Sequence, residues 1–228
     1  TIGDELHKNG FRGKISLSGY GENLLNPRFR EIVHTFRSAV PYATLECNTN
    51  GDKLTREYAE ELFEFSGLDL LYINLYDGIE QMEHFDKIMK TIPETKYKYR
   101  MHWGDFETHG LILNNRSGVM DWVGIEDDTI ENLKGKVCHY PFYKMFVDWN
   151  GDVLFCSNDW GREHVVGNLL SMSLHDVWFS KPMTKIRKRL MKGDRSKSPC
   201  NKCSVDGSLF GKQSFDIVKE YYELPKNR

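Results

Sequence analysis

Apolar and polar positions in the first half of the chain change period at regular intervals. Short runs at Lys14–Ser18, Thr44–Asn48, Leu70–Leu75 and Tyr97–Met101 read as strands. Helical spacing fills the gaps. Phe29, Ile32, Val33 and Phe36 follow Pro27, a helix runs from Thr55 through Phe65, and Met82, Phe85, Ile88 and Met89 mark a third. Strand starts recur roughly every 26 to 30 residues with a helix between, the βαβ period of a parallel sheet or barrel. A helix closing at Asn9-Gly10 precedes the first strand, and Leu111-Ile112-Leu113 is expected to add one more. Polar residues and glycines gather just after each strand, the edge where α/β folds bind ligands.

The second half reads differently. A polar stretch, Asp121–Lys136, marks the expected domain boundary, giving domains 1–134 and 135–228. Beyond it, YPFYKMFVDWNGDVLF is an apolar run folded in two at Asn150-Gly151, a hairpin signal in which both turn positions take positive φ. Ser173-x-x-Asp176 is a capping box opening a short helix with Val177 and Trp178. Pro182–Lys192 is a helix with Met183, Ile186 and Leu190 inward, stopped by Gly193. The basic run Lys185, Arg187, Lys188, Arg189 and Lys192 is read as its solvated face. Residues 214–223 form a last helix.

Composition narrows the function classes. With 228 residues, 39% hydrophobic and 28% charged, the chain supports one large domain or a domain plus an appendage. A net charge of −2 lacks the basic excess of a nucleic-acid binder. No apolar run is long enough to span a membrane, and no signal peptide is visible. Five cysteines, with Cys47 the odd one, fit a reducing compartment better than a disulfide scaffold, so the expected location is cytoplasmic.

Four of those cysteines carry the chemistry. The hairpin brings Cys138 and Cys156 toward one end of two antiparallel strands, and Cys200-x-x-Cys203 follows as a loop able to close over them. Four thiolates converging on one point make a metal or cluster site. Structural zinc remains an alternative, although zinc ribbons usually pair two C-x-x-C knuckles and here there is one. No Ser-His-Asp pattern, P-loop or HExxH motif is present.

Two stretches together resemble a known family. SGYGENLLNP, LECNTNG and YINLYDG are similar to the core of radical S-adenosylmethionine enzymes. CHYPFYKMFVDWNGDVLFCSNDW, then VGN, a Trp-bearing helix and PCNKC resemble the SPASM/twitch extension of that superfamily. The resemblance implies an α/β fold, a partial parallel (β/α) barrel followed by a small twitch domain. It also implies S-adenosylmethionine and an auxiliary [4Fe–4S] cluster on Cys138, Cys156, Cys200 and Cys203. Full SPASM domains carry more cysteines and two clusters, so the shorter twitch type is expected. The cysteine spacing is similar to that of aminocyclitol dehydrogenases, which oxidise a secondary alcohol.

Carried over by motif, Gly19, Tyr20, Gly21 and Glu22 occupy the glycine-rich segment whose backbone receives the cofactor's amino group. Asn23 stands where the family usually has proline and is expected to loosen the turn. Asn48, Asn50 and Asn74 are implied ribose or carboxylate contacts. Phe142, Phe146, Trp149 and Trp160 would bury the cluster. His102, Trp103, Asp105, His109 and Arg116 lie on or after the last strands. Arg116 is the best candidate carboxylate or phosphate partner, and Asp127-Asp128 reads as solvated linker.

One motif of the family is absent. The C-x-x-x-C-x-x-C that ligates the radical-generating cluster does not occur here. The chain opens on Thr1 rather than Met, so that motif and its second [4Fe–4S] cluster are expected upstream. The 228 residues alone are then expected not to cleave S-adenosylmethionine. The expected function is hydrogen abstraction by a 5′-deoxyadenosyl radical from a sugar- or cyclitol-like substrate, with the auxiliary cluster accepting an electron. A flavodoxin- or ferredoxin-type donor would supply the reducing electron. The alternatives are a peptide-modifying radical enzyme and a non-enzymatic four-cysteine zinc or iron–sulfur module.

Overall fold

The computed structural model describes residues 1–103, 114–120 and 128–223. The expected strand at 111–113, together with Asp105, His109 and Asp127, lies outside the described residues. The chain divides into two compact units, Thr1–Ile112 and Leu113–Arg228. That division precedes the 134/135 boundary read from composition, and Asn115 supplies the physical reason. Its backbone N–H donates to Ser204 Oγ at 3.0 Å, its amide donates to Lys202 O at 2.7 Å, and it accepts from Ser204 N at 3.1 Å.

The first unit begins with α1 (Ile2–Lys8), capped by a reciprocal Thr1–Asp4 box. Strands β1 (Lys14–Ser16), β2 (Thr44–Thr49), β3 (Leu70–Leu75) and β4 (Tyr97–Met101) form a parallel sheet in sequence order. Helix α2 (Phe29–Ala39) joins the first pair of strands. Helix α3 (Arg56–Glu60), prolonged by a π turn over Glu61–Phe65, joins the second pair. Helix α4 (Ile79–Met89) joins the third. This is the βαβ order that the 26-to-30-residue rhythm expects.

The sheet has two unlike faces. Leu45 and Cys47 of β2 alternate onto the same buried face as Leu71, Ile73 and Leu75 of β3, all wholly buried against Phe29, Val33, Phe85 and Met89. Burying such side chains contributes about 1.5–3 kcal/mol each. The alternate positions, Glu46, Asn48, Tyr72 and Asn74, are only half buried. A slip of one residue would exchange the faces, so this pattern fixes the register.

In the second unit a short helix, α5 (Thr129–Asn132), precedes the cysteines. Residues expected as the first hairpin arm instead begin as a helix, α6 (Tyr140–Tyr143), whose first turn holds Pro141, where a missing N–H costs nothing. Strands β5 (Phe146–Val147), β6 (Asp152–Leu154) and β7 (Val165–Asn168) form an antiparallel sheet in that order. The Asn150-Gly151 turn is real but of another type. Only Gly151 takes positive φ (83°), and Asp148 O accepts from Gly151 N at 2.9 Å while Asp148 N donates to Asp152 O at 2.8 Å. This is a three-residue loop ending in a left-handed glycine, not the two-residue turn.

Helices α7 (Leu174–Trp178), α8 (Lys181–Leu190) and α9 (Lys212–Glu223) complete the unit. Ser173 caps α7 through Asp176 N, as its sequence box requires. Arg187, read as part of a solvated basic face, is wholly buried. Its guanidinium donates to Pro141 O (2.7 Å) and Trp178 O (2.6 Å) and stacks over the Trp178 ring at 3.9 Å. Trp149, expected to shield the cluster, is 87% exposed at the hairpin tip. Among the described residues no helix is long and apolar enough to cross a membrane.

Candidate functional site

The glycine-rich segment leaves β1 and turns back against the end of β2. Glu22 makes that contact. Its Oε1 accepts from Leu24 N (2.9 Å) and from Thr49 Oγ1 (2.8 Å), and its Oε2 accepts from Asn50 N (2.7 Å). The carboxylate is thus bound to the chain itself and positions the loop. Asn23 does not loosen this turn. Its amide donates to Leu17 O at 2.7 Å and to Asn48 O at 3.4 Å, joining β1 to β2.

Gly21 is different. A Cβ placed there meets no atom within 4 Å, and the residue is exposed without positive φ. Neither conformation nor packing demands glycine at that point, and the position is open to a close approach from outside. At Gly51 the reverse holds: φ is +82° and a Cβ would lie 2.2 Å from the Phe85 ring.

The asparagines divide likewise. Asn50 bonds Asp52 through both side-chain atoms, at 3.1 and 3.0 Å, and builds its own turn. Asn48 and Asn74 lie on the half-buried sheet face. Asn48 Oδ1 accepts from Arg100 Nη1 at 3.0 Å, and Asn74 meets His102 Nε2 at 3.2 Å through Oδ1 while its amide donates to Thr49 O at 3.2 Å. Arg100 lies 3.7 Å over Tyr72, and His102 stacks on Tyr76 at 4.5 Å. The strand ends therefore present a polar face of amide, guanidinium and imidazole groups, suited to hydroxyl, carboxylate or nucleoside contacts.

In the second unit, Cys138, Cys156, Cys200 and Cys203 line one cavity. Tyr140, Phe155, Asn158, Leu190, Arg195 and Val205 share its wall with Ser117. Among the described residues no three His, Cys, Asp or Glu side chains stand close enough to hold a single ion. Gly207 belongs to this arrangement, because a Cβ there would come 2.2 Å from Cys138 Sγ.

The sulfurs receive hydrogen-bond donors. Asn158 N approaches Cys156 Sγ at 3.4 Å, Val205 N approaches Cys203 Sγ at 3.5 Å, and Arg189 Nη2 approaches Cys200 Sγ at 3.7 Å. Burial raises the Cys138 and Cys156 thiols and pushes Cys200 up to about 12. Arg195 opposes this at Cys138, Lys144 at Cys156, and Arg189 at Cys200. Burial in turn lowers Lys144 to about 8, and its ammonium sits 3.7 Å over the Tyr140 ring. Burial outweighs these cations and disfavours bare thiolates, while the N–H donors and nearby cations offset part of that cost for thiolates bonded to an iron–sulfur cluster. The donor set and its setting fit such a group.

Several contributors escaped the sequence reading. Arg195 is buried and donates to Lys136 O (3.0 Å), Val137 O (3.1 Å) and Val205 O (2.9 Å), tying the approaches to Cys138 and Cys203. No local pattern marks it. Gly207, four residues after Cys203, was a faint signal. Arg116 lies in the second unit, 4.8 Å over Trp160 and 3.4 Å from Asn158 Oδ1. Arg116 and Ser117 both take positive φ (47° and 57°), a strained pair beside the cavity.

Residues 138–204 match SPASM, an iron-sulfur cluster-binding domain. The chain is 28% identical over 221 residues to the S-adenosyl-L-methionine-dependent 2-deoxy-scyllo-inosamine dehydrogenase of Niallia circulans, covering 96% of this chain and 83% of that protein. The crystal structure of BtrN in complex with AdoMet and 2-DOIA superposes with a TM-score of 0.75 at 27% identity, over 90% of this chain and 78% of that one. A structure of BtrN in an open conformation shares the fold, with a TM-score of 0.66 at 23% identity over 89% of this chain and 76% of that one.

Proposed function

We propose that this chain is a radical S-adenosylmethionine protein by fold, with a SPASM-type iron–sulfur domain over residues 138–204, and that together with a radical-generating cluster that these residues do not ligate it oxidises an alcohol of a small cyclitol- or sugar-like substrate. S-adenosylmethionine with a radical-generating cluster would supply hydrogen-atom abstraction, and an auxiliary cluster on the four cysteines would accept the second electron.

The chain's own residues hold and orient. Cys138, Cys156, Cys200 and Cys203 hold the auxiliary [4Fe–4S] cluster. Arg195 and Gly207 keep two of those thiols in place. The loop Gly19–Glu22 offers backbone to the cofactor, with Glu22 fixing the loop rather than binding the cofactor. Asn48 and Asn74 turn amides toward the ligand face. Asn50 serves the turn. A polar, hydrogen-bonding strand edge suits a hydroxylated small molecule. A flavodoxin- or ferredoxin-type protein supplies the electron, and five cysteines with no disulfide between them support the cytoplasm as the site of action.

The observation that carries the reading is the convergence of all four cysteines on one cavity. The test is anaerobic purification of the natural gene product, then incubation with S-adenosylmethionine, a reductant and 2-deoxy-scyllo-inosamine. Formation of 5′-deoxyadenosine together with the ketone by mass spectrometry supports the reading. Zinc in place of iron, or turnover of a peptide and not of cyclitols, contradicts it.

A further inference from the structure

Helix α8 and the segment after it carry strongly one-signed charge. Lys181 to Lys202 holds nine basic side chains and one acidic, Asp194, in a chain whose net charge is −2. Lys181, Lys185 and Lys188 fall at i, i+4 and i+7 of α8 and are exposed, while Met183, Ile186 and Leu190 are buried. Lys192, Lys197 and Lys202 continue the exposed cations along the chain to the Cys200–Lys202 turn.

Among the described residues none of the six lysines forms a salt bridge. Of the three acids on α9, Asp216 pairs with Lys212 at 2.7 Å and Glu223 with Lys219 at 3.8 Å, and Glu220 forms no salt bridge among the described residues. Lys181 with Lys185, and Lys185 with Arg189, are like-charge pairs at i,i+4, a spacing that weakens a helix. A surface serving only solubility would mix signs.

The same helix also walls the cysteine cavity. Leu190 lines it, and Arg189, next to the lysine stripe, reaches within 3.7 Å of Cys200 Sγ. A partner held on the lysines is therefore one helix away from the four sulfurs. We propose that this face is the docking surface of an acidic one-electron carrier protein, an inference that rests on reading the four cysteines as cluster ligands. Opposite charge on the two partners steers encounter and fixes orientation.

The test uses the full chain, anaerobically purified with its iron measured, and an acidic flavodoxin as probe. Its Kd is followed by thermophoresis across a salt series for the wild type and for K185E/K188E/K192E. The wild type is expected to bind more weakly as salt rises, and the variant to lose about tenfold or more in affinity. Circular dichroism and iron content are expected to be unaltered in the variant. A neutral K185Q/K188Q/K192Q chain is expected to fall between the two. Equal affinity of the wild type and both variants overturns the proposal. So does equally tight binding of an acidic protein without a redox centre, or of a DNA duplex. A wild-type chain devoid of iron overturns the cluster reading instead, which separates the two failures.

Discussion

Arg195 Nη1 donates to the Val205 carbonyl at 2.9 Å, two residues beyond Cys203. The same guanidinium holds Lys136 and Val137, just before Cys138. One buried cation thus joins the chain around two of the four thiols, without a carboxylate partner among the described residues. Removing it leaves carbonyls without donors.

Arg195→Met is accordingly expected to destabilise the second unit by about 3 kcal/mol and to lower iron per chain. Urea unfolding and iron assay check this. Arg195→Lys, which keeps charge but not the three-way fork, is expected to retain more iron than the methionine variant. Wild-type iron and stability in Arg195→Met would remove the role.

Glu22 gives a second test. Glu22→Gln replaces one acceptor with a donor facing N–H or O–H groups, and is expected to cost about 1–3 kcal/mol of stability. Affinity for S-adenosylmethionine is expected to fall with it, since the loop is no longer fixed to β2. Calorimetric titration that finds affinity unchanged, with the stability loss present, would detach the loop from cofactor binding.

Two glycines separate ligand space from packing. Gly21→Val is expected to leave folding near wild type, because a Cβ there meets nothing, and to weaken S-adenosylmethionine binding. Gly51→Ala is expected to destabilise through its φ of +82° and the Phe85 ring, irrespective of ligand. Thermal melts with and without S-adenosylmethionine distinguish the two patterns. A Gly21→Val chain with unaltered ligand-induced stabilisation contradicts the assignment.

Much of this was legible in the chain, and the exceptions have physical reasons. The parallel order of β1 to β4 followed from apolar runs spaced by helical patterns. The four cysteines followed from their spacing and the hairpin between. Turn type was misread because Asn-Gly also closes a longer loop in which only glycine needs positive φ. Arg187 looked solvated because a basic run gives no hint of which member points inward. At i+4 from Met183 it falls on the buried face, where Nε and Nη1 donate to carbonyls and the guanidinium stacks over Trp178, while Nη2 is buried without a hydrogen-bond partner among the described residues. Arg195 was invisible because its partners are backbone atoms, 58 to 59 residues before it and 10 after.

Cys47 is the cysteine outside the cavity. It is wholly buried beneath the sheet, and burial pushes its thiol up to about 12 from 9.0. Unfolding releases that thiol to ionise at its ordinary value. Its contribution to stability is therefore full below pH 9 and lost as pH rises toward about 12. Cys47→Ala is expected to flatten that alkaline decline in urea-measured stability and to leave iron unchanged. Iodoacetamide at neutral pH is expected to spare Cys47 in the folded chain. Loss of iron in Cys47→Ala would make it a ligand after all.

The central claim is that Cys138, Cys156, Cys200 and Cys203 together hold one iron–sulfur cluster. The most direct measurement is the difference in iron and sulfide per chain between anaerobically purified wild type and Cys156→Ala, with zinc assayed alongside. The account predicts a loss of about four irons and four sulfides, with the parallel sheet still folded by circular dichroism. Equal iron in the two proteins, or zinc lost in place of iron, would contradict it.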